Sequence, residues 1–467
     1  MLTKSLSLLS ANDQLSIIRV CQRLREHVVD TPGLWTHVDQ IRNPAALSFV
    51  LERANNLAVD ITNLAVGDQN DVRFEAVATH MHHIRTLGLH LSLSDYLFAA
   101  PSRAHTAFTA TAPVLQLLSF RGHRNFESGL RPCVNSLFSI FAHTMPRLSS
   151  LQLQGVEMSR TMIWPIQSLR TLSFSFRERS QYGGFSLEQS ASQHLRNLTT
   201  INVELAGWNA VQGYPYLGPS IKQINIRWTR PGLFVPRDTF PNEKDWNSIQ
   251  AIHVKHMCSS SSSPPAVIPP LSTFAIPETT APYQTLTIRT SGAPHTPLHA
   301  RATDLEDRER VFCGLHPATV AGLVAQIPGQ ELSTITVAAT AIALQVLSDA
   351  QCPALSCMRL VLDTDDISWI NRFARDMPNI TTLERLEFSQ AVDQATAKWT
   401  TVVILRTLSS CIAAGNTLQE VLFLGFSPDA QCLAMAEMFS QQVVVDQDWR
   451  EPKSDRTWFT ELPFEWH

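Results

Sequence analysis

Pro146-Arg147-Leu148-Ser149-Ser150-Leu151-Gln152-Leu153-Gln154 places aliphatic residues 2, 5 and 7 positions after a proline. The same offsets follow Pro113, with Leu115, Leu118 and Phe120, and Pro353, with Leu355, Met358 and Leu360. Proline cannot continue a helix and drives the residue before it toward extended geometry, so each of these stretches reads as a helix end turning into a short strand. Apolar residues at helical spacing lie upstream of two such prolines, Val134, Leu137, Phe138 and Phe141 before Pro146, and Ile367, Ile370, Phe373 and Met377 before Pro378. After Pro378 the register is open: the aliphatic series starts either at Ile380 or at Leu383, with Leu386 and Phe388.

The aliphatic triplet recurs from Ile84, Leu115, Leu148, Leu169, Leu198, Ile221, Ile249, Tyr283, Leu332, Leu355, Leu383 and Leu418. Most separations are close to the 20–29 residues of a leucine-rich repeat or modestly longer, with one gap of 49 residues after Tyr283. A single helix-plus-strand unit cannot bury its own apolar face, so the units must stack, strands parallel on one side and helices outside. The expected fold is therefore α/β, an irregular leucine-rich-repeat solenoid. A doubly wound sheet would carry a glycine-rich strand-to-helix turn, which is missing, and only 18 of the 467 residues are glycine.

Charge narrows the function classes. With 37 basic and 41 acidic residues the net charge is -4, charged residues are only 17% of the chain, and no five like charges adjoin. Neither nucleic acid nor an anionic membrane is an expected partner. The eight cysteines form no compact framework, so they read as reduced thiols of the cytoplasm or nucleus. Met1 to Leu9 lacks the pattern of a secretory signal, and the longest apolar stretch, Ile335 to Leu347, is too short to span a bilayer.

At the N-terminus, Leu15, Ile17, Ile18, Val20, Cys21 and Leu24 suggest a helix stopped at Thr31-Pro32. Val20-Cys21-Gln22-Arg23-Leu24-Arg25, then Thr31-Pro32-Gly33-Leu34-Trp35, then Leu51 to Ile61 resemble, in order and spacing, the second half of the F-box domain in the F-box and leucine-rich-repeat proteins of mushroom-forming fungi. Met1 to Asn12 shows no Leu-Pro-x-Glu turn, so the likeness covers the later half of that domain alone. It implies a substrate receptor that docks on the adaptor subunit of a cullin-RING ubiquitin ligase through a small helical F-box-like segment. Val20, Cys21, Leu24, Arg25, Thr31, Pro32, Leu34 and Trp35 carry that resemblance.

The organisation expected is a truncated F-box-like helical segment over 1–61, a first repeat array over 62–257, a Ser/Pro-rich flexible insertion with one strand in it over 258–301, a second array over 302–440, and an aromatic cap over 441–467. Asp304 to Arg310 (DLEDRER) reads as a solvated helix face or loop.

No common dinucleotide, P-loop, hydrolase-elbow or zinc-protease motif occurs, so no catalytic residue and no cofactor are expected. His80, His82 and His83 read as a polar turn. Cys313 with His316, and Cys352 with Cys357, lack a second zinc-ligand pair. Trp35 reads as a core clamp rather than an interface anchor. The informative surface is the set of variable positions between the aliphatic ones, which alternation projects onto a concave face. It comprises Ser150, Gln152 and Gln154; Thr171, Ser173 and Ser175; Thr200, Asn202 and Glu204; Gln223, Asn225 and Arg227; Ala251, His253 and Lys255; Thr334 and Thr336; Arg359; Arg385 and Glu387. Ser and Thr also suit exposed strands for their own sake. The reading that follows is a non-catalytic protein-recognition module. A ligase-independent repeat scaffold is the alternative, and an unrecognised α/β enzyme is a third.

Overall fold

The computed structural model describes residues 9–17, 19–67, 70–91, 102–122, 145–154, 167–177, 196–206, 220–228, 249–256, 283–290, 298–315, 332–338, 352, 354–362, 382–390, 398–413, 415 and 418–450. The helices read from 134–141 and 367–377, His316, Cys133, Cys258 and residues 451–467 of the aromatic cap lie outside these. The chain divides into two compact units, with the boundary between Ile224 and Asn225. Each is α/β and built on a mostly parallel open ladder of strands.

The first unit opens with helices α1 (Ala11–Ile17) and α2 (Gln22–Val29). The continuous helix expected across Val20 and Cys21 is instead broken there. Val20 N–H bonds back only three residues, to Ile17 O, and Cys21 is extended and accepts at its sulfur from Leu24 N–H. Short polar residues prefer such a cap position because they satisfy an orphan helix donor, and the Cys21 sulfur fills that role here. The Thr31 hydroxyl closes α2 by bonding His27 O at 2.6 Å, and Pro32–Trp35 makes one 3-10 turn. Next come β1 (His37–Asp39), α3 (Pro44–Arg53) and β2 (Val59–Val66). The first turn of α3 combines Pro44 at its start with the Asn43 carboxamide, whose oxygen accepts from Ala45 N–H at 2.9 Å.

β1 pairs parallel to β2, so the head is continuous with the ladder, and the boundary expected at residue 61 falls inside β2. The buried alternation of Val59, Ile61, Leu64 and Val66 starts the sheet one strand earlier than the triplet at Ile84. The ladder proceeds through α4 (Arg73–His80), β3 (Ile84–Leu91), α5 (Arg103–Thr109), β4 (Leu117–Gly122), β5 (Ser150–Gln154), β6 (Thr171–Arg177) and β7 (Thr200–Ala206). β8 (Gln223–Trp228) begins at the end of this unit.

Register explains the triplet. Leu87, Leu118, Leu151, Leu172 and Ile201 form one in-register row, and Leu89, Phe120, Leu153, Phe174 and Val203 the next. All are buried, as are the leading positions Leu115, Leu148, Leu169 and Leu198. Each buried aliphatic side chain contributes about 1.5–3 kcal/mol, so the rows are the source of the stacking energy. Between strands, hydroxyls tie one turn to the next: Ser168 donates to Leu148 O at 2.8 Å and Ser220 to Leu198 O at 2.9 Å.

The second unit contains β9 (Ala251–His256), β10 (Tyr283–Thr290), β11 (Leu298–Asp304), β12 (Glu309–Leu315), β13 (Thr334–Ala338), β14 (Cys357–Val361), β15 (Arg385–Ser389), β16 (Leu418–Leu424) and β17 (Ser440–Asp446). Helices α6 (Lys398–Ala413) and α7 (Ala430–Phe439) flank β16 in the chain. The pairing order is β9, β12, β11, β10, β13 and then in sequence to β17, with β11 antiparallel to both neighbours. The open register resolves to the Leu383 series, since Leu383, Leu386 and Phe388 are all buried and Arg385 is not.

The strand expected inside the 258–301 insertion is β10, where Tyr283, Leu286 and Ile288 supply a full buried alternation, and residues 298–301 belong to a second paired strand, β11, that was not expected. The remainder of that stretch lies outside the described residues. Of the two readings of the DLEDRER run, helix face or loop, the structure gives the loop: a tight hairpin turn between β11 and β12 with Leu305, Glu306 and Asp307 exposed. The Asp304 carboxylate accepts from Glu306 N–H and Arg308 N–H at 2.9 Å each and from Arg308 Nε at 2.7 Å, while Asp307 takes the left-handed φ of 56°. Asp304, Arg308 and Arg310 are buried. A short acidic side chain that captures its own following backbone makes a turn, a signal that charge counting hides.

Candidate functional site

Within each unit the variable positions fall into rows fixed by register. In the first unit one row is Ser119, Gln152, Ser173 and Asn202, and the next is Arg121, Gln154, Ser175 and Glu204. Thr200 stands with Ser150 and Thr171 in a third. The central row is less open than alternation alone suggests: Ser119, Gln152 and Ser173 are buried, and Asn202 Nδ2 donates to Ser173 Oγ at 2.8 Å. Gln154, Thr200 and Glu204 are half-buried.

Among the described residues, three buried polar atoms on this face have no hydrogen-bond partner: Gln152 Oε1, Arg121 Nη2 and Glu204 Oε2. Gln152 as a whole is 7% exposed. Burial also pulls the Arg121 guanidinium below its ordinary pKa. Leaving such an atom unmatched costs about 1–3 kcal/mol, which marks these positions as able to gain from an added donor or acceptor. Gln223 and Arg227 on β8 are half-buried, and Asn225 between them is fully buried.

Besides the Asp304–Arg308 turn, two charged groups stand out among the described residues of the second unit. Glu387, its side chain 4% exposed, pairs with Arg359 across β14 and β15 and with Arg385 Nε at 2.8 Å; Arg385 also reaches Glu420 at 3.3 Å. The Arg359 guanidinium lies 5.6 Å from the centroid of the Trp449 ring, a cation–π distance. The Cys357 thiol, 3.8 Å from Glu387, is pushed up to about 11 by burial and then by the neighbouring carboxylate.

In the second group Glu309 lies between His253, at 3.5 Å, and Arg301, at 3.2 Å. Burial raises the Glu309 carboxyl, but the His253 contact and the Arg301 charge outweigh that and hold it below its ordinary pKa. His299 is buried in this part of the sheet and pushed down to about 4 by burial and by the positive charge of Lys255, itself half-buried. Sequence reading singled out His253 and Lys255 and missed Arg301, Glu309, Arg289 and His299. Their strands fall in a Ser/Pro-rich segment and a charge run, where strand alternation was the available signal.

In the F-box-like segment the residues separate by exposure. Val20 is 70% exposed, Cys21 and Arg25 are exposed, Leu24, Thr31 and Pro32 are half-buried, and Leu34 and Trp35 are buried. Trp35 is the core clamp that was expected, stacked edge-on against Phe49 at 5.8 Å. His80, His82 and His83 form a stacked turn in which His83 Nε2 meets His80 Nδ1 at 3.2 Å and His82 Nε2 meets Asn56 Oδ1 at 3.0 Å. Among the described residues no group of three His, Cys, Asp or Glu side chains is placed to hold a metal ion, and no helix is long and apolar enough to cross a membrane. No protein-family model matches the chain, and no curated protein matches it at a significant level.

Proposed function

We propose that this chain is a non-catalytic protein-recognition module: a leucine-rich-repeat-like array whose polar strand face takes a partner protein. On the resemblance of residues 15–61, its head is F-box-like and links that partner to the adaptor subunit of a cullin-RING ubiquitin ligase in the cytoplasm or nucleus. The observation that carries the recognition reading is the set of buried, unpartnered polar atoms of Arg121, Gln152 and Glu204 on one face of one ladder. A partner that supplies matching donors and acceptors there recovers a cost already present in the free chain. Free cysteines suit a reducing compartment, and burial holds Cys313, Cys411 and Cys432 up at about 12, so they persist as thiols and are weak nucleophiles at neutral pH.

Among the described residues of the head, Val20 is the most exposed large apolar side chain, ahead of Leu57 and Leu9, and it is the one offered to an adaptor. Co-purification of the full chain with the adaptor, lost in Val20→Asp, is the expected result. A chain that never co-purifies with the adaptor, under conditions where a known F-box protein does, overturns the ligase role. A ligase-independent scaffold is the second reading, favoured by the burial of Leu34 and Trp35 and by the pairing of β1 with β2, which commit much of the F-box-like segment to packing.

A further inference from the structure

The position directly before each strand of the first unit lies neither in the buried rows nor on the polar face. Gln116, Ser149, Arg170, Thr199 and Lys222 occupy it in successive strands, and their backbones are linked in order: Ser149 N–H donates to Gln116 O, Arg170 N–H to Ser149 O, Thr199 N–H to Arg170 O and Lys222 N–H to Thr199 O, all at 2.8–2.9 Å. Together with the turns just before them they enclose an open groove of about 780 Å³. Four of its lining residues are basic, Arg147, Arg170, Arg196 and Lys222, and the others are serine, threonine, asparagine or glutamine. No carboxylate and no aromatic ring lines it among the described residues.

Several other arginines among the described residues are spent on carboxylates. Arg85, Arg73, Arg359 and Arg385 each hold a carboxylate. Arg147, Arg170 and Lys222 are exposed and make no ion pair among the described residues. Arg147, Arg170 and Lys222, with Arg196 beside them, concentrate positive charge along one edge of a chain whose net charge is -4, a local field that an anionic partner matches. Ladder spacing of about 4.8 Å places the strands leading from Arg170 and Lys222 roughly 10 Å apart, a distance an extended peptide covers in about three residues.

We propose that this strand-edge groove binds an acidic, extended peptide segment of a partner protein, its Asp and Glu side chains meeting Arg147, Arg170, Arg196 and Lys222 and its backbone meeting the neutral amides and hydroxyls. Guanidinium groups suit this task because their fork matches a carboxylate in two bonds. Single-stranded nucleic acid is the disfavoured anion, since its binding sites stack bases on aromatic side chains and this groove has none. The groove lies off the polar face, so the two surfaces can be tested separately.

The test is fluorescence anisotropy of the full chain with a labelled twelve-residue peptide rich in glutamate, its glutamine counterpart and a labelled oligothymidylate of equal length, at about 50 and 300 mM salt. The glutamate peptide is expected to bind at least tenfold more tightly than either of the others at low salt, and to weaken at high salt. Arg170→Glu with Lys222→Glu is expected to remove at least tenfold of that affinity with an unchanged thermal midpoint, both side chains being exposed. Arg42→Glu, a charge reversal at an exposed residue outside the groove, is expected to leave it unchanged. Equal binding of the two peptides, tighter binding of the oligonucleotide, full affinity in the folded double variant, or an equal loss in Arg42→Glu overturns the proposal.

Discussion

The indole Nε1 of Trp35 donates to the backbone carbonyl of Val28 at 2.9 Å, tying the 3-10 turn to the last turn of α2 inside a fully buried environment. This bond turns two short helices and a turn into one packed head. Trp35→Ala is expected to cost about 3–5 kcal/mol through the lost ring and the cavity left beside Phe49. Trp35→Phe keeps most of the apolar volume but strands the carbonyl, at about 1–3 kcal/mol. Urea unfolding of the two variants measures both, and a neutral Trp35→Ala would place Trp35 outside the core.

Gly88 on β3 has no room for a side chain. A Cβ there would sit 2.2 Å from Thr62 O and 2.8 Å from Thr62 C on the neighbouring strand, both backbone atoms that cannot swing aside. Gly88→Ala is therefore expected to push β2 and β3 apart and to cost about 1–3 kcal/mol. Calorimetry should show a lowered thermal midpoint; an unchanged one would mean that the β2–β3 approach is looser than described.

Glu387 holds two arginines from a nearly closed position. Glu387→Gln removes the charge that balances both, at an expected cost of about 1.5–3 kcal/mol, the range for hydrogen bonds to charged groups. Arg385, 45% exposed, should be worth under about 1 kcal/mol in Arg385→Ala because solvent screens it. Chemical unfolding of the two variants checks the ranking, and equal losses would contradict it.

His299 supplies a pH dependence of defined sign. Its ordinary pKa of 6.5 is lowered to about 4 in the folded chain, so on acidification the unfolded chain takes up this proton first. The stability that depends on neutral His299 is complete above about pH 6.5, declines as pH falls toward 4, and changes no further below that, a total of about 3 kcal/mol at most. His80 and His83 are lowered for the same first reason, burial, and add loss of the same sign. The carboxylates of Asp60 and Asp71, both held below their ordinary pKa, act at lower pH still. His299→Gln should flatten the loss between pH 6.5 and 4.5 in urea titrations, and an identical slope in the variant would contradict the account.

The strands were legible because burial repeats: Leu148, Leu151 and Leu153 announce β5 without help from any neighbour. Trp35 was legible as core for a similar reason, a large ring beside a proline turn. The polar face was legible as a face, since alternation assigns sides, but not as an open surface. Whether Gln152 meets solvent depends on what covers it, and Glu387 was readable as a charge but not as the centre of a three-residue network across strands. The hairpin at Asp304 hid behind its charges. The edge groove hid because its residues precede their strands and lie far apart in sequence, so that only backbone register brings Arg170 and Lys222 together.

Recognition through the polar strand face is tested most directly by capture with paired variants. A photo-crosslinking residue is placed at Gln154, on the polar face, and separately at Ser48 on α3, half-buried like Gln154, and the full chain is illuminated in extract from its own cells. The account expects one discrete protein adduct from position 154, none from position 48, and loss of the adduct when Glu204→Lys is added. Equal labelling from both positions, or an adduct indifferent to Glu204→Lys, would contradict it.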